Sequence, residues 1–367
     1  MFPRISSLYR LLAALFLTGF IMLIVNNTND LIRLSQTDMK RAIQDMTNPY
    51  SMETYIENVT ALATSKRVVT LGKPVNPHNF AYIVNPSDLC RDRHLTYIVY
   101  VHTAPMNFKK RQMIRQTWSS KNMMLRYKMR TIFCMGVVDD TVTMQRVMME
   151  SSRYGDIMVK DFQDTYRNLT HKAVSALKWV SEHCANVTYV IKSDDDILID
   201  MDALIGILRS PTVQEYGHEK VILCNLWSNM KVIRDKRSKW YISEDEFAEE
   251  FFPPYCSGSI YIMTSDVVRD MYAVSRYTKF FWVDDFYVTG ALVQKIGGVQ
   301  HKKLNDKYDL SAKTALTHLT ADKEQKKKFF HVHKLTDIYK MWKIITKRNK
   351  MSNCAECTLK KTEPAGT

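Results

Sequence analysis

The stretch Val187-Thr188-Tyr189-Val190-Ile191-Lys192-Ser193-Asp194-Asp195-Asp196 carries a short apolar run straight into three consecutive aspartates. Such a run reads as a strand buried in a parallel sheet. Three adjacent carboxylates repel one another and are costly without a counter-ion. Side chains alternate along an extended chain, so Asp194 and Asp196 are expected on one face while Asp195 points away. Two carboxylates on one face at a strand's carboxyl end can hold Mn²⁺ or Mg²⁺ against a diphosphate. A solvated acidic turn capping the helix at Met201 is the competing account, and the buried strand ahead of the triplet favours metal.

Outward from this point the chain alternates. Leu95–Val101, Thr131–Val138, Asp156–Val159 and Val221–Leu226 also read as strands, and Val142–Tyr154, Leu169–Cys184 and Met201–Leu208 as helices. In Leu169–Cys184 the apolar Ala173, Val174, Leu177 and Val180 share one face. This alternation predicts an α/β fold on a largely parallel sheet, with ligands at the carboxyl ends of its strands. Further on, Tyr255–Thr264 reads as a strand and Asp266–Val274 as a helix. Phe281–Ile296 leads aromatic residues into another helix, closed by Gly297-Gly298.

Three further groups can carry chemistry. Asp284 and Asp285 follow Phe281-Trp282-Val283. Helix capping explains one of them, a general base in a desolvated aromatic setting explains the pair, and the two readings stand level. Lys109-Lys110-Arg111-Gln112-Met113-Ile114-Arg115 follows the first strand and suits either an anionic ligand or a solvated helix face. Late in the chain, either ring of His331-Val332-His333 can reach a metal, with a surface imidazole as the default for each.

The amino terminus speaks to compartment. Leu11–Val25 is an uncharged apolar run behind Arg4 and Arg10, and counting back to Ile5 brings it near the ~20 residues a bilayer needs. It ends in Val25-Asn26-Asn27-Thr28, without the small-residue pattern of signal cleavage. The expectation is a type II protein: a cytoplasmic tail over 1–10, an anchor core over 11–25, a stem over 26–89, a body over 90–350 and a tail over 351–367. Sequons at Asn26, Asn58, Asn168 and Asn186, and seven cysteines, fit an oxidising lumen. Cys354-x-x-Cys357 lacks the second pair that a zinc site needs. With 46% hydrophobic and 25% charged residues, general disorder is excluded. The net charge of +14 invites a nucleic-acid reading, which the anchor and sequons oppose.

Seven segments in order resemble the β-1,3-glycosyltransferases of family 31, best known for β-1,3-galactosyltransferases. They are Arg111–Trp118, Phe133–Gly136, Asp161–Thr170 with Trp179, Lys192–Asp196, Tyr255–Tyr261, Asp284–Val288, and His333 with Trp342. The resemblance spans roughly Leu95 to Ile345. It implies a single catalytic domain of the nucleotide-sugar-binding GT-A fold behind the membrane anchor. It implies inverting transfer of galactose from UDP-galactose to a glycan hydroxyl in β-1,3 linkage, in the Golgi membrane. N-acetylglucosamine or N-acetylgalactosamine are the alternative sugars, and a non-catalytic glycan-binding relative the alternative role. The acceptor would be a glycoprotein, glycolipid or proteoglycan glycan, with no nucleic acid involved. By position, Asp194 and Asp196 would hold Mn²⁺ with help from His333. Arg111 and Arg115, with Asp194 and Asp195, would bind the nucleotide, and Asp285 would be the base. Phe286 departs from the family, which usually has Val there.

Overall fold

Apolar strands meet in an eight-stranded mixed sheet in a computed structural model that describes residues 73–91, 94–322 and 324–359, with side chains to Lys350. All of these belong to the second of two units into which the chain divides, Leu71–Thr367. The strands are β1 (Tyr82–Val84), β2 (Tyr97–His102), β3 (Met129–Val137), β4 (Ile157–Gln163), β5 (Tyr189–Asp194), β7 (Val221–Trp227), β10 (Tyr255–Thr264) and β11 (Gln300–Lys303). A second sheet joins β6 (Ile197–Ile199), β12 (Tyr308–Asp309) and β13 (Phe329–His331), and a small hairpin pairs β8 (Met230–Lys231) with β9 (Phe251–Phe252).

The main order is β1-β4-β3-β2-β5-β10-β7-β11. Only β1 and β10 run against the other six, so the largely parallel expectation holds. The order reverses between β2 and β5, which neighbour each other while the chain first builds outward through β3 and β4. A reversal of this kind opens a crevice at the carboxyl ends, where open α/β sheets bind ligands.

Two buried clusters cover the two faces. One includes Val99, Phe133 and Ile191 under helix α1 (Phe108–Gln116). The other includes Tyr100, Val190 and Tyr261 under the long amphipathic Leu169–His183. Disulfides join Cys90 to Cys184 and Cys224 to Cys256, and Cys134 is buried and free.

The segment expected to be stem to residue 89 is corrected at its end. Tyr82–Val84 pairs antiparallel with β4, and Cys90 is tied to Cys184. The final helix, Leu335–Leu359, runs past the expected boundary at 350. The anchor over 11–25 lies outside the described residues, among which no helix is long and apolar enough to cross a membrane.

Candidate active site

At the end of β5 the chain changes sheets. His102 of β2 stands in register with Asp194, and three residues later Ile197 pairs with His331 in the second sheet. The aspartates therefore occupy the crossing. Asp194 Oδ1 accepts from Lys192 Nζ at 2.5 Å. Asp195 is the most heavily held: Thr103 Oγ1 (2.6 Å), Asn107 Nδ2 (2.8 Å) and Lys110 Nζ (2.7 Å) all donate to it. It ties the β2–α1 loop to the crossing, and both its oxygens are spent on protein. Asp196 Oδ2 accepts from Lys110 Nζ at 3.2 Å and lies 3.8 Å from His331 Nε2.

Electrostatics separates these carboxylates. Burial pushes Asp194 up to about 6, against the pull of Lys192 and with help from the Asp196 charge. Burial acts on Asp196 too, but the nearby His331 imidazole and the Lys110 ammonium outweigh it and hold it at about 2. The carboxylate of Asp196 in turn raises His331.

The arginines fall elsewhere. Arg111 is fully buried, with its guanidinium on Glu150 and the carbonyls of Ala104 and Pro105. Arg115 forks onto Asp156 (2.8 and 2.7 Å) and reaches Glu150 at 2.6 Å. Both brace the loop and helix from behind rather than offering free donors to a nucleotide. Lys110, on the same helix, is the cation that faces the aspartates. The Asp161–Thr170 segment also supports this loop, since Lys172 Nζ joins Asp164 (2.9 Å) to the Thr103 carbonyl (2.7 Å).

Asp284 and Asp285 begin a helix that runs Asp284–Phe286, passes through a π-helical turn at Tyr287–Leu292 and ends at Val293–Ile296. Insertions of that kind recur at functional sites. Phe286 anchors it among Phe247, Phe252, Tyr255 and Phe281. Asp285 Oδ1 accepts from its neighbour's N–H at 2.8 Å, and Gly258, inside a bulge of β10, leaves room for the carboxylate. Burial and then the Asp284 charge push Asp285 up to about 7. Asp284 Oδ2 lies 3.8 Å from Nδ1 of His102, whose buried imidazole is held neutral by burial, Lys192 and Lys172.

Lys192 links the two acidic centres. Its buried ammonium bonds Asp194 and the Gly258 carbonyl, and the charges of Asp194, Asp284 and Asp285 raise it against burial. Nothing local marked it, because a lysine inside an apolar strand reads as an interruption until its partners are known.

Among the described residues no group of three His, Cys, Asp or Glu side chains is placed to hold a metal ion alone. The donor set nevertheless suits a shared cation. Asp194 Oδ2 and Asp196 Oδ1 have no protein hydrogen-bond partner among the described residues, and both side chains are partly exposed. One or two carboxylates completed by substrate phosphates is the usual arrangement for Mg²⁺-like ions. The imidazole at this point is His331; His333 is exposed, with its ring tilted against His331 at 5.3 Å, which corrects the expected ligand.

A galactosyltransferase family profile matches residues 109–305. Beta-1,3-galactosyltransferase 1 of Homo sapiens is 35% identical over 259 residues, covering 69% of this chain and 77% of its own length. Human lactosylceramide 1,3-N-acetyl-beta-D-glucosaminyltransferase is 29% identical over 225 residues, covering 59% of each. The solved structure of a glycosyltransferase involved in the glycosylation of the major capsid of PBCV-1 aligns at 6% identity and TM-score 0.37, over 68% of this chain and 99% of its own.

Proposed function

Because this chain belongs to the galactosyltransferase family and is a glycosyltransferase, we propose that it moves galactose from UDP-galactose onto a glycan hydroxyl in a β-1,3 linkage, with inversion. The GT-A fold, a divalent cation at Asp194 and Asp196, and a lumenal body on a Golgi membrane anchor belong to the same reading. The observation that carries it is the pair of acidic centres joined by Lys192. One can face a diphosphate with a cation, and the other carries a carboxyl with the proton affinity of a base near neutrality.

Asp285 takes the proton of the acceptor hydroxyl as that oxygen attacks the anomeric carbon. The bond to the diphosphate breaks on the opposite side, and UDP departs. Asp194 and Asp196, with His331 beside Asp196, would hold the cation, which supplies charge stabilisation to the departing diphosphate when bound. Lys192 keeps two anionic centres close without mutual expulsion. Holding donor and acceptor at fixed positions removes much of the entropic barrier. The two disulfides support an oxidising compartment.

The test is UDP release by the full-length chain with Mn²⁺, a panel of UDP-sugars and mixed glycan acceptors. Acceptor-stimulated release from UDP-galactose, lost on chelation, is expected. Release from UDP-N-acetylglucosamine instead would move the chain toward its second relative, and no binding of UDP under any condition would sink the reading.

A further inference from the structure

We propose that Lys110 is a counter-ion that yields to the divalent cation: it neutralises Asp196 when no metal is bound, and turns onto the donor's diphosphate when metal and nucleotide enter together. The inference deepens the proposed transferase reading and rests on it. Lys110 Nζ donates to Asp195 Oδ1 at 2.7 Å and to Asp196 Oδ2 at 3.2 Å. Its two partners differ in kind. Asp195 is nearly inaccessible and already satisfied at Oδ2 by Thr103 and Asn107, whereas Asp196 and Lys110 are each 30% exposed at the side chain. The Asp195 contact is therefore a pivot, and the Asp196 contact is the one open to exchange.

Charge sets the direction of that exchange. A dication ligated by Asp196 would share a carboxylate with an ammonium only 3.2 Å from Oδ2, and like charges at such range repel strongly away from bulk water. The lysine stem is flexible and its ammonium is a compact point charge with three donors, so rotation about Asp195 Oδ1 costs little. The diphosphate brought in with the cation offers the new anionic partner, which replaces for Lys110 the contact it gives up at Asp196. Arg111 and Arg115 cannot substitute, because Glu150 and Asp156 hold them.

Two effects of opposite sign follow. In Lys110→Gln, Mn²⁺ alone binds tighter, because its competitor at Asp196 is gone, while Mn²⁺-dependent UDP binding weakens, each by roughly tenfold for one charge-assisted bond. Lys110→Arg, which keeps the cation, stays near the parent. The experiment is titration of the full-length protein with Mn²⁺, read by its electron paramagnetic resonance signal, then with UDP at saturating Mn²⁺, with melting curves as a fold control. Unchanged or weaker Mn²⁺ binding in Lys110→Gln overturns the proposal, and so does unchanged UDP binding. Should that variant fail to fold, amine labelling of the parent decides: Mn²⁺ alone should speed acetylation of Lys110 and UDP should then suppress it, and a rate indifferent to both overturns it equally. A parent that binds no Mn²⁺–UDP brings down the donor site itself together with this proposal; a parent that binds while Lys110→Gln behaves identically brings down only the lysine.

Discussion

Asp285 is the base in the proposed reaction. A base must be ionised to act, and burial beside Asp284 lifts its carboxyl to about 7, so the ionised fraction falls as pH drops through that value. At saturating donor and Mn²⁺, kcat should decline by about tenfold per pH unit below that point. Asp284→Asn removes the neighbouring charge, so the acid limb should move to lower pH; a limb that stays put, or moves up, contradicts the base assignment. Asp285→Asn should keep Mn²⁺–UDP binding while turnover falls by at least ~10². Near-normal turnover in that variant would remove Asp285 from the reaction. The aspartates were readable in sequence because each group sits at the boundary of an apolar element, where a carboxylate needs a reason. His331 was not separable from His333, since only the non-local pairing of β13 with β6 decides which ring meets Asp196. Arg111 and Arg115 misled for a related reason: their partners, Glu150 and Asp156, lie well along the chain.

Elements place these residues, and β10 does so in a way sequence hid. Long apolar or amphipathic segments such as Leu169–His183 and Val221–Trp227 declared themselves by periodicity. The reversed direction of β10 and the two- to four-residue strands did not, because they are set by tertiary pairing. The bulge in β10 brings Gly258 against the helix that carries Asp285: a Cβ there would stand 3.2 Å from Asp285 Cβ and 3.3 Å from Oδ2. That is tight enough to shift the carboxylate by a few tenths of an ångström without breaking the sheet. Gly258→Ala should therefore lower kcat by roughly tenfold, because small misplacements of a reacting group are costly. Its affinity for Mn²⁺–UDP should change little, since the atoms nearest the added Cβ belong to Asp285 and not to Asp194 or Asp196. Steady-state kinetics beside UDP titration separates these effects, and a loss confined to UDP binding would mean that Gly258 serves the donor instead.

At the scale of the whole body, the candidate cation site lies at the rim of a structure already held by other means. Two apolar clusters cover opposite faces of the main sheet, two disulfides cross-link the body, and the carboxylates at the crossing are compensated by Lys110, Lys192 and His331. A structural metal would have left a closed set of protein ligands, and no such group occurs among the described residues. Chelation alone should then leave the melting temperature where it was, unlike a domain whose fold depends on its ion. On the proposed reading Mn²⁺ and UDP together bind only the native crossing and should stabilise it by mass action, by about 2.7 kcal/mol at a hundredfold excess over Kd. For a body of this size that is a rise of several degrees. UDP with chelator should give little of that rise, because without the cation Asp194 and Asp196, already compensated by Lys192 and Lys110, offer the diphosphate no bridging charge. A full rise in chelator would show that the nucleotide is held by protein donors alone, and a fall on chelation without nucleotide would make the ion part of the fold.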